Sequence, residues 1–332
     1  MENRIQYIDA LKGFAIFWVV MGHIAEKSMG INDTLFNHFY GSFHMPLFMF
    51  LSGIFAFSQK SEWKYLDFRS FLKKKFLRIL IPFIFIGSLY SFLFNGKLFG
   101  VLLGEVSSYW FLAALFMCML LGYLTLQTLF YINKKKSIVL DIVLSVALWV
   151  VVAASYFTGY MKDFPYYLNF IKMYPFFLYG VLFTRHNQIK QFFESHLCYT
   201  FSYFIYILCF IWQDVLPFNF NFTGFPAIVI LMFLFRKFEL RIPIMLTNIG
   251  LFSLEIYVFH WFFLPNFSNI GIWLMKQPEN TNVITNQNFI VLFGITLFVA
   301  LVIIYFCKIM KDLVNSNRIL NLLCFGVKSA DK

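Results

Sequence analysis

Residues 9–23 read DALKGFAIFWVVMGH, a run oily enough to leave water that nevertheless carries an aspartate, a lysine and a histidine. The chain around it decides which solvent the run is written for. Of 332 residues 60% are apolar, only 13% are charged, and 48 are phenylalanine. A water-soluble globule is nearer about half apolar and about a quarter charged, so the composition is that of an integral membrane protein.

A helix crosses a ~30 Å hydrocarbon layer in about 20 residues. Apolar runs of that kind fall at roughly 8–26, 39–58, 76–95, 109–131, 138–157, 167–184, 199–214, 222–236, 246–265 and 288–307. The eighth is short and follows LPFNFNFTGFP, where prolines and a glycine interrupt the helical pattern. Lys and Arg collect in cytoplasmic loops and set orientation. With a cytoplasmic N-terminus and ten spans, the inner segments hold 21 of the 27 basic residues, including Lys73–Lys75, Arg78, Lys134–Lys136 and Arg236–Lys237. Dropping the eighth span would put the basic RKFELR loop and the Asn-rich PENTNVITNQN loop on the wrong sides. The expected fold is therefore an all-α integral membrane protein of about ten transmembrane helices with both termini cytoplasmic. Residues 1–311 form its membrane domain and 312–332 a cytoplasmic tail suited to the inner membrane surface.

The net charge of +11 fits the same count as a cytoplasmic excess facing anionic membrane lipids, so nucleic acid is not an expected partner. No Gly-rich phosphate loop, CxxC pair or metal-spaced His/Cys cluster occurs, and no metal is expected. Cys118, Cys198, Cys209, Cys307 and Cys324 fall in spans or on the inner side, so no external disulfide is expected. The first apolar run is interrupted by Lys12 and lacks a small-residue cleavage site, unlike a signal peptide.

At 100° per residue, Lys12 and His23 lie on one helix face about 16 Å apart along the axis. Asp9 falls within about 60° of Lys12, and Glu26 lies one turn beyond His23. Ionisable groups in hydrocarbon cost several kcal/mol unless they face a bundle interior or wet cavity, so they mark a site or pathway by default. Asp9 and Lys12 also suit an interfacial ion pair with Lys12 snorkelling to the headgroups. The second span begins FHMPLFMFLSG, with Pro46 suited to the first turn of a helix and His44 at roughly the depth of His23. FSLEIYVFH in the ninth span places Glu255 near mid-membrane and His260 towards the outer face. Three histidines thus share the outer half. SSYWFL opens the fourth span, where Tyr109 and Trp110 equally suit an aromatic belt; Lys172 with MYPFFLYG lines a cavity or belongs to a kinked packing element. On residues alone, an enzyme, a transporter or flippase for a lipid-linked glycan, and a membrane scaffold all remain open.

RIQYIDALKGFAIFWVVMGH resembles the opening signature of acyltransferase family 3, a basic residue followed by ten residues and a histidine, here Lys12 and His23. FHMPLFMFLSG resembles the family's second signature, SYWFL its third, and EIYVFH its late histidine-bearing segment. The resemblance spans nearly the whole chain and implies a ten-helix, multi-pass protein of a bacterial-type plasma membrane that O-acylates sugars or other envelope components. The implied donor is acyl-CoA, most simply acetyl-CoA from the cytoplasm, and the implied acceptor a glycan or lipid-linked sugar. Transfer to a hydroxyl needs a base, and His23 is the candidate. Glu26 or Glu255 would fix its tautomer, with His44 beside them. Asp9, Lys12, Tyr109, Trp110, Lys172 and His260 are the groups expected along the donor's path, Lys12 and the basic inner loops meeting its phosphates.

Overall fold

The computed structural model describes residues 6–32, 35–57, 67–132, 137–211, 222–275 and 286–327, and every regular element among them is helical. In chain order these are α1 (Gln6–His23), α2 (Leu35–Gly41), α3 (His44–Ile54), α4 (Phe68–Lys75), α5 (Ile81–Asn95), α6 (Trp110–Ile132), α7 (Ile138–Phe157) and α8 (Tyr167–Arg185). There follow α9 (Asn187–Phe193), α10 (His196–Ile211), α11 (Gly224–Lys237), α12 (Ile244–Leu251), α13 (Ser253–Phe259), α14 (Ser268–Met275), α15 (Asn286–Ser316) and α16 (Arg318–Phe325). Arg4, Lys60, Lys64, Lys134–Lys136, span residues 58 and 212–214, and tail residues 328–332 lie outside the described residues.

Among the described residues five helical stretches are long and apolar enough to cross a membrane: Gln6–Ser28, Phe68–Asn95, Ser107–Ile132, Ile138–Phe157 and Asn288–Ser316. The number rises to seven if α9 with α10, and α12 with the Ser253–Phe263 stretch, each count as one bent span. The other three expected spans are helical but shorter or more polar. α11 has 14 residues, under the ~20 a crossing needs, and α8 carries Lys172 and Pro175 inside its 19. The expected span 39–58 is divided between α2 and α3. At the division Ser42 Oγ donates to the Phe39 carbonyl (2.7 Å), competing with the helix for its own backbone. Pro46 lies in the first turn of α3, where its missing N–H costs nothing.

The described chain forms two compact units. The first comprises residues 1–48 and 196–313, the second 49–195 and 314–332.

In the first unit α1 is pressed against α12. A Cβ on Gly13 would strike the Leu246 carbonyl, and one on Gly250 the Asp9 carbonyl. Small residues allow this backbone approach, which supplies van der Waals contact where lipid offers no hydrophobic drive. The Tyr7 N–H, an orphan of the first helical turn, donates to Glu239 Oε1 (3.2 Å). α12 and α13 meet at Phe252 with a bend of 66°, so the chain leaves α12 turned towards the end of α1, with α1 touching both helices.

In the second unit α8 packs on α6 and α7. Pro175 has no N–H to give the Ile171 carbonyl four residues earlier, and Trp149 Nε1–H of α7 donates to that carbonyl instead (3.1 Å). Tyr174, fully buried, donates to Thr125 Oγ1 of α6 (2.9 Å), whose own hydroxyl is committed to Leu121 O (2.8 Å). α16 lies along α5 with Asn321, Cys324 and Phe325 buried.

Candidate active site

Three imidazoles stand at helix junctions of the first unit. His23 is the last residue of α1 before the chain widens into a π-helical turn over Ile24–Ser28. His44 opens α3. His260 follows α13 and opens a 3₁₀ turn over His260–Phe263.

Two of these rings are pinned in a defined tautomer. His44 Nδ1 lies 2.6 Å from the Tyr40 carbonyl and His260 Nδ1 lies 2.9 Å from the Ile256 carbonyl. A carbonyl only accepts, so each Nδ1 carries the proton of the neutral ring and each Nε2 the lone pair. His260 then stacks on His23, with 12° between the rings and 5.4 Å between centroids. Trp261 closes on the same ring at 4.4 Å. His23 Nδ1 and His260 Nε2 are buried and, among the described residues, have no hydrogen-bond partner. Leaving a buried polar atom unpaired costs about 1–3 kcal/mol. Here two such atoms lie on adjacent stacked imidazoles.

Neither expected carboxylate serves His23. The π turn advances fewer degrees per residue than an α turn, carrying Glu26 off the face His23 occupies. Glu26 Oε1 instead accepts from the Tyr40 hydroxyl. Glu255, in the first turn of α13, lies 3.9 Å from Lys311 Nζ of α15, and that ammonium sits 5.0 Å above the Phe252 ring. Among the described residues neither Glu26 nor Glu255 hydrogen-bonds the His23 ring. The structure thus brings His23 and His260 together and links Glu26 to His44 through Tyr40.

Asp9 and Lys12 form the ion pair their spacing allows, Nζ to Oδ1 3.3 Å. Tyr109, Trp110 and Lys172 belong to the second unit. Tyr109 is fully buried with its ring edge-on to Tyr90 at 5.6 Å, Trp110 opens α6, and Lys172 is half-buried on α8, three residues before Pro175.

Sequence reasoning did not find Trp261, Tyr40 or Asn37. Trp261 follows a predicted site residue directly, while Asn37, Tyr40 and His44 recur at the three- and four-residue spacing of a helix face, a pattern that continues across the Ser42–Phe43 break. It also missed a second polar cluster. Asp141 of α7 is fully buried and accepts from Arg185 Nε–H and from His186 Nε2–H, the latter at 2.7 Å. Among the described residues no group of three or more His, Cys, Asp or Glu is arranged to hold a metal ion.

Residues 5–308 match a family described as an acyltransferase domain, that of acyltransferase family 3. No curated protein and no solved structure matches the chain.

Proposed function

Because the chain belongs to acyltransferase family 3, and is thus a multi-pass membrane acyltransferase, we propose that it moves an acyl group, most simply acetyl, from cytoplasmic acyl-CoA to a hydroxyl of a sugar or cell-envelope glycan. In this reading the chain sits in the cell membrane with ten spans and both termini in the cytoplasm. Three of those spans are the α2–α3 pair, α8 and α11, each completed by neighbouring helices.

The observation that carries the reading is the stacked His23–His260 pair with two buried, unpartnered nitrogens. The acceptor hydroxyl gives its proton to His23 as its oxygen attacks the thioester carbonyl. The new C–O bond forms, the C–S bond breaks, and the departing thiolate takes the proton back from the imidazolium. A base positioned for such a proton contributes about 10²–10⁴-fold. His260 holds the His23 ring by stacking and Trp261 by a tilted ring contact, in place of a carboxylate. The Lys12 ammonium, three turns away on α1, is suited to the donor's phosphates.

The test is release of CoA thiol by reconstituted protein given acetyl-CoA, with and without envelope glycan extract. The parent is expected to show acceptor-stimulated release, and His23→Ala to lose it by at least about 100-fold while remaining folded. Full activity in His23→Ala would remove the base from the mechanism.

A further inference from the structure

Tyr40 joins two groups that the sequence places separately. Its ring lies against the bare backbone of Gly22, where a Cβ would strike three of its ring carbons, so it sits one residue from His23. Its hydroxyl donates to Glu26 Oε1 and accepts from Asn37 Nδ2 (3.2 Å). Asn37 also donates to the Ile31 carbonyl (3.2 Å), tying the group to the chain just beyond the π turn. The backbone carbonyl of the same tyrosine receives the His44 Nδ1–H at 2.6 Å, with the two rings 5.2 Å apart. One buried residue, 4% exposed, therefore fixes both a carboxylate and a histidine.

We propose that Tyr40 is a positioning residue of the acyl-transfer site, through which Glu26 sets the orientation of His44 instead of acting on His23. The hydroxyl holds α2 against the π turn of α1. The position of α2 determines where the Tyr40 carbonyl lies, and that carbonyl selects the His44 tautomer with its lone pair on Nε2. Glu26 works here as a hydrogen-bond acceptor, so glutamine, which keeps an acceptor oxygen, replaces it better than alanine. The inference rests on the acyl-transfer reading for its effect on turnover, but the coupling itself is visible without turnover.

Two measurements test it on the full-length protein in lipid. In the CoA-thiol assay with acetyl-CoA, Tyr40→Phe and Glu26→Ala are expected to lower kcat by up to about 100-fold, the cost of a ~1 Å misplacement in an active site, with KM for acetyl-CoA unchanged. Glu26→Gln falls between Glu26→Ala and the parent, and the double variant Tyr40→Phe/Glu26→Ala is no slower than either single one, because the two act as a unit. In ¹⁵N-histidine spectra, the His44 ring signals move in Glu26→Ala, a substitution at a residue that reaches that ring only through Tyr40. Multiplying losses in the double variant, equal loss in Glu26→Gln and Glu26→Ala, or unchanged His44 signals would each overturn the proposal. If the parent releases no thiol, the acyl-transfer reading fails, and the His44 signals alone decide the coupling.

Discussion

Two buried polar clusters of this chain, around Asp141 and around His23, solve the same problem in opposite ways. Around Asp141 every charge is answered. The carboxylate, with its side chain wholly buried, faces Arg185, whose side chain is 3% exposed, and His186 at 5%. Around His23 the valences are left open, with one imidazole nitrogen of His23 and one of His260 buried and unpartnered. The network around Asp141 ties α7 to the end of α8. An open one carries a cost in stability, which is why the proposed chemistry is placed there. On the proposed reading the contrast separates charge from function, with the more strongly charged cluster the structural one.

Breaking the closed cluster should give the largest effect on stability. Asp141→Ala strands the Arg185 guanidinium, and losing one partner of a buried pair costs about 3–5 kcal/mol. Thermal unfolding in detergent should show this as a marked fall in Tm, while transfer per folded molecule stays at the parental level. Next is Trp149→Phe, which keeps the ring but removes the N–H that answers the Ile171 carbonyl. An unanswered buried acceptor costs about 1–3 kcal/mol, and a fall in Tm of that order without loss of turnover per folded molecule would place this bond on the structural side. The smallest effect is expected for Lys97→Ala. Lys97 meets Glu105 at 3.0 Å with 64% and 40% of the two side chains exposed, and such pairs contribute about 0.2–1 kcal/mol, reduced further by salt. A Lys97→Ala effect as large as that of Asp141→Ala would mean that burial does not distinguish the clusters.

What was legible in the sequence follows from what each feature depends on. α7 occupies 138–157 as the apolar run indicates, because a lipid-facing helix is set by its own composition. Val139 and Val151, 71% and 69% exposed, need no protein partner. That His23 and His260 would lie at one depth could be anticipated, since in the expected topology the first and ninth spans run in the same direction and each histidine stands at the C-terminal end of its helix. The break at Ser42–Phe43 could not, because it rests on a serine hydroxyl competing for a backbone carbonyl. Nor could the π turn after His23, which diverts Glu26 from its expected α-helical direction to Tyr40. Glu255 was likewise expected beside His23, but the bend at Phe252 and the approach of Lys311 depend on tertiary packing with no local signature. Asp141 and Arg185 lie 44 residues apart on different helices, and a lone aspartate in the first turn of an apolar run reads as an ordinary helix start.

The most direct test of the distinction compares His23→Ala with Asp141→Ala in one preparation, recording Tm and acceptor-stimulated CoA-thiol release per folded molecule. His23→Ala is expected to keep a near-parental Tm and lose transfer by at least about 100-fold, whereas Asp141→Ala unfolds earlier and keeps its transfer. The reverse pattern, with transfer surviving in His23→Ala and lost from folded Asp141→Ala, would contradict the account and move the chemistry to the closed cluster.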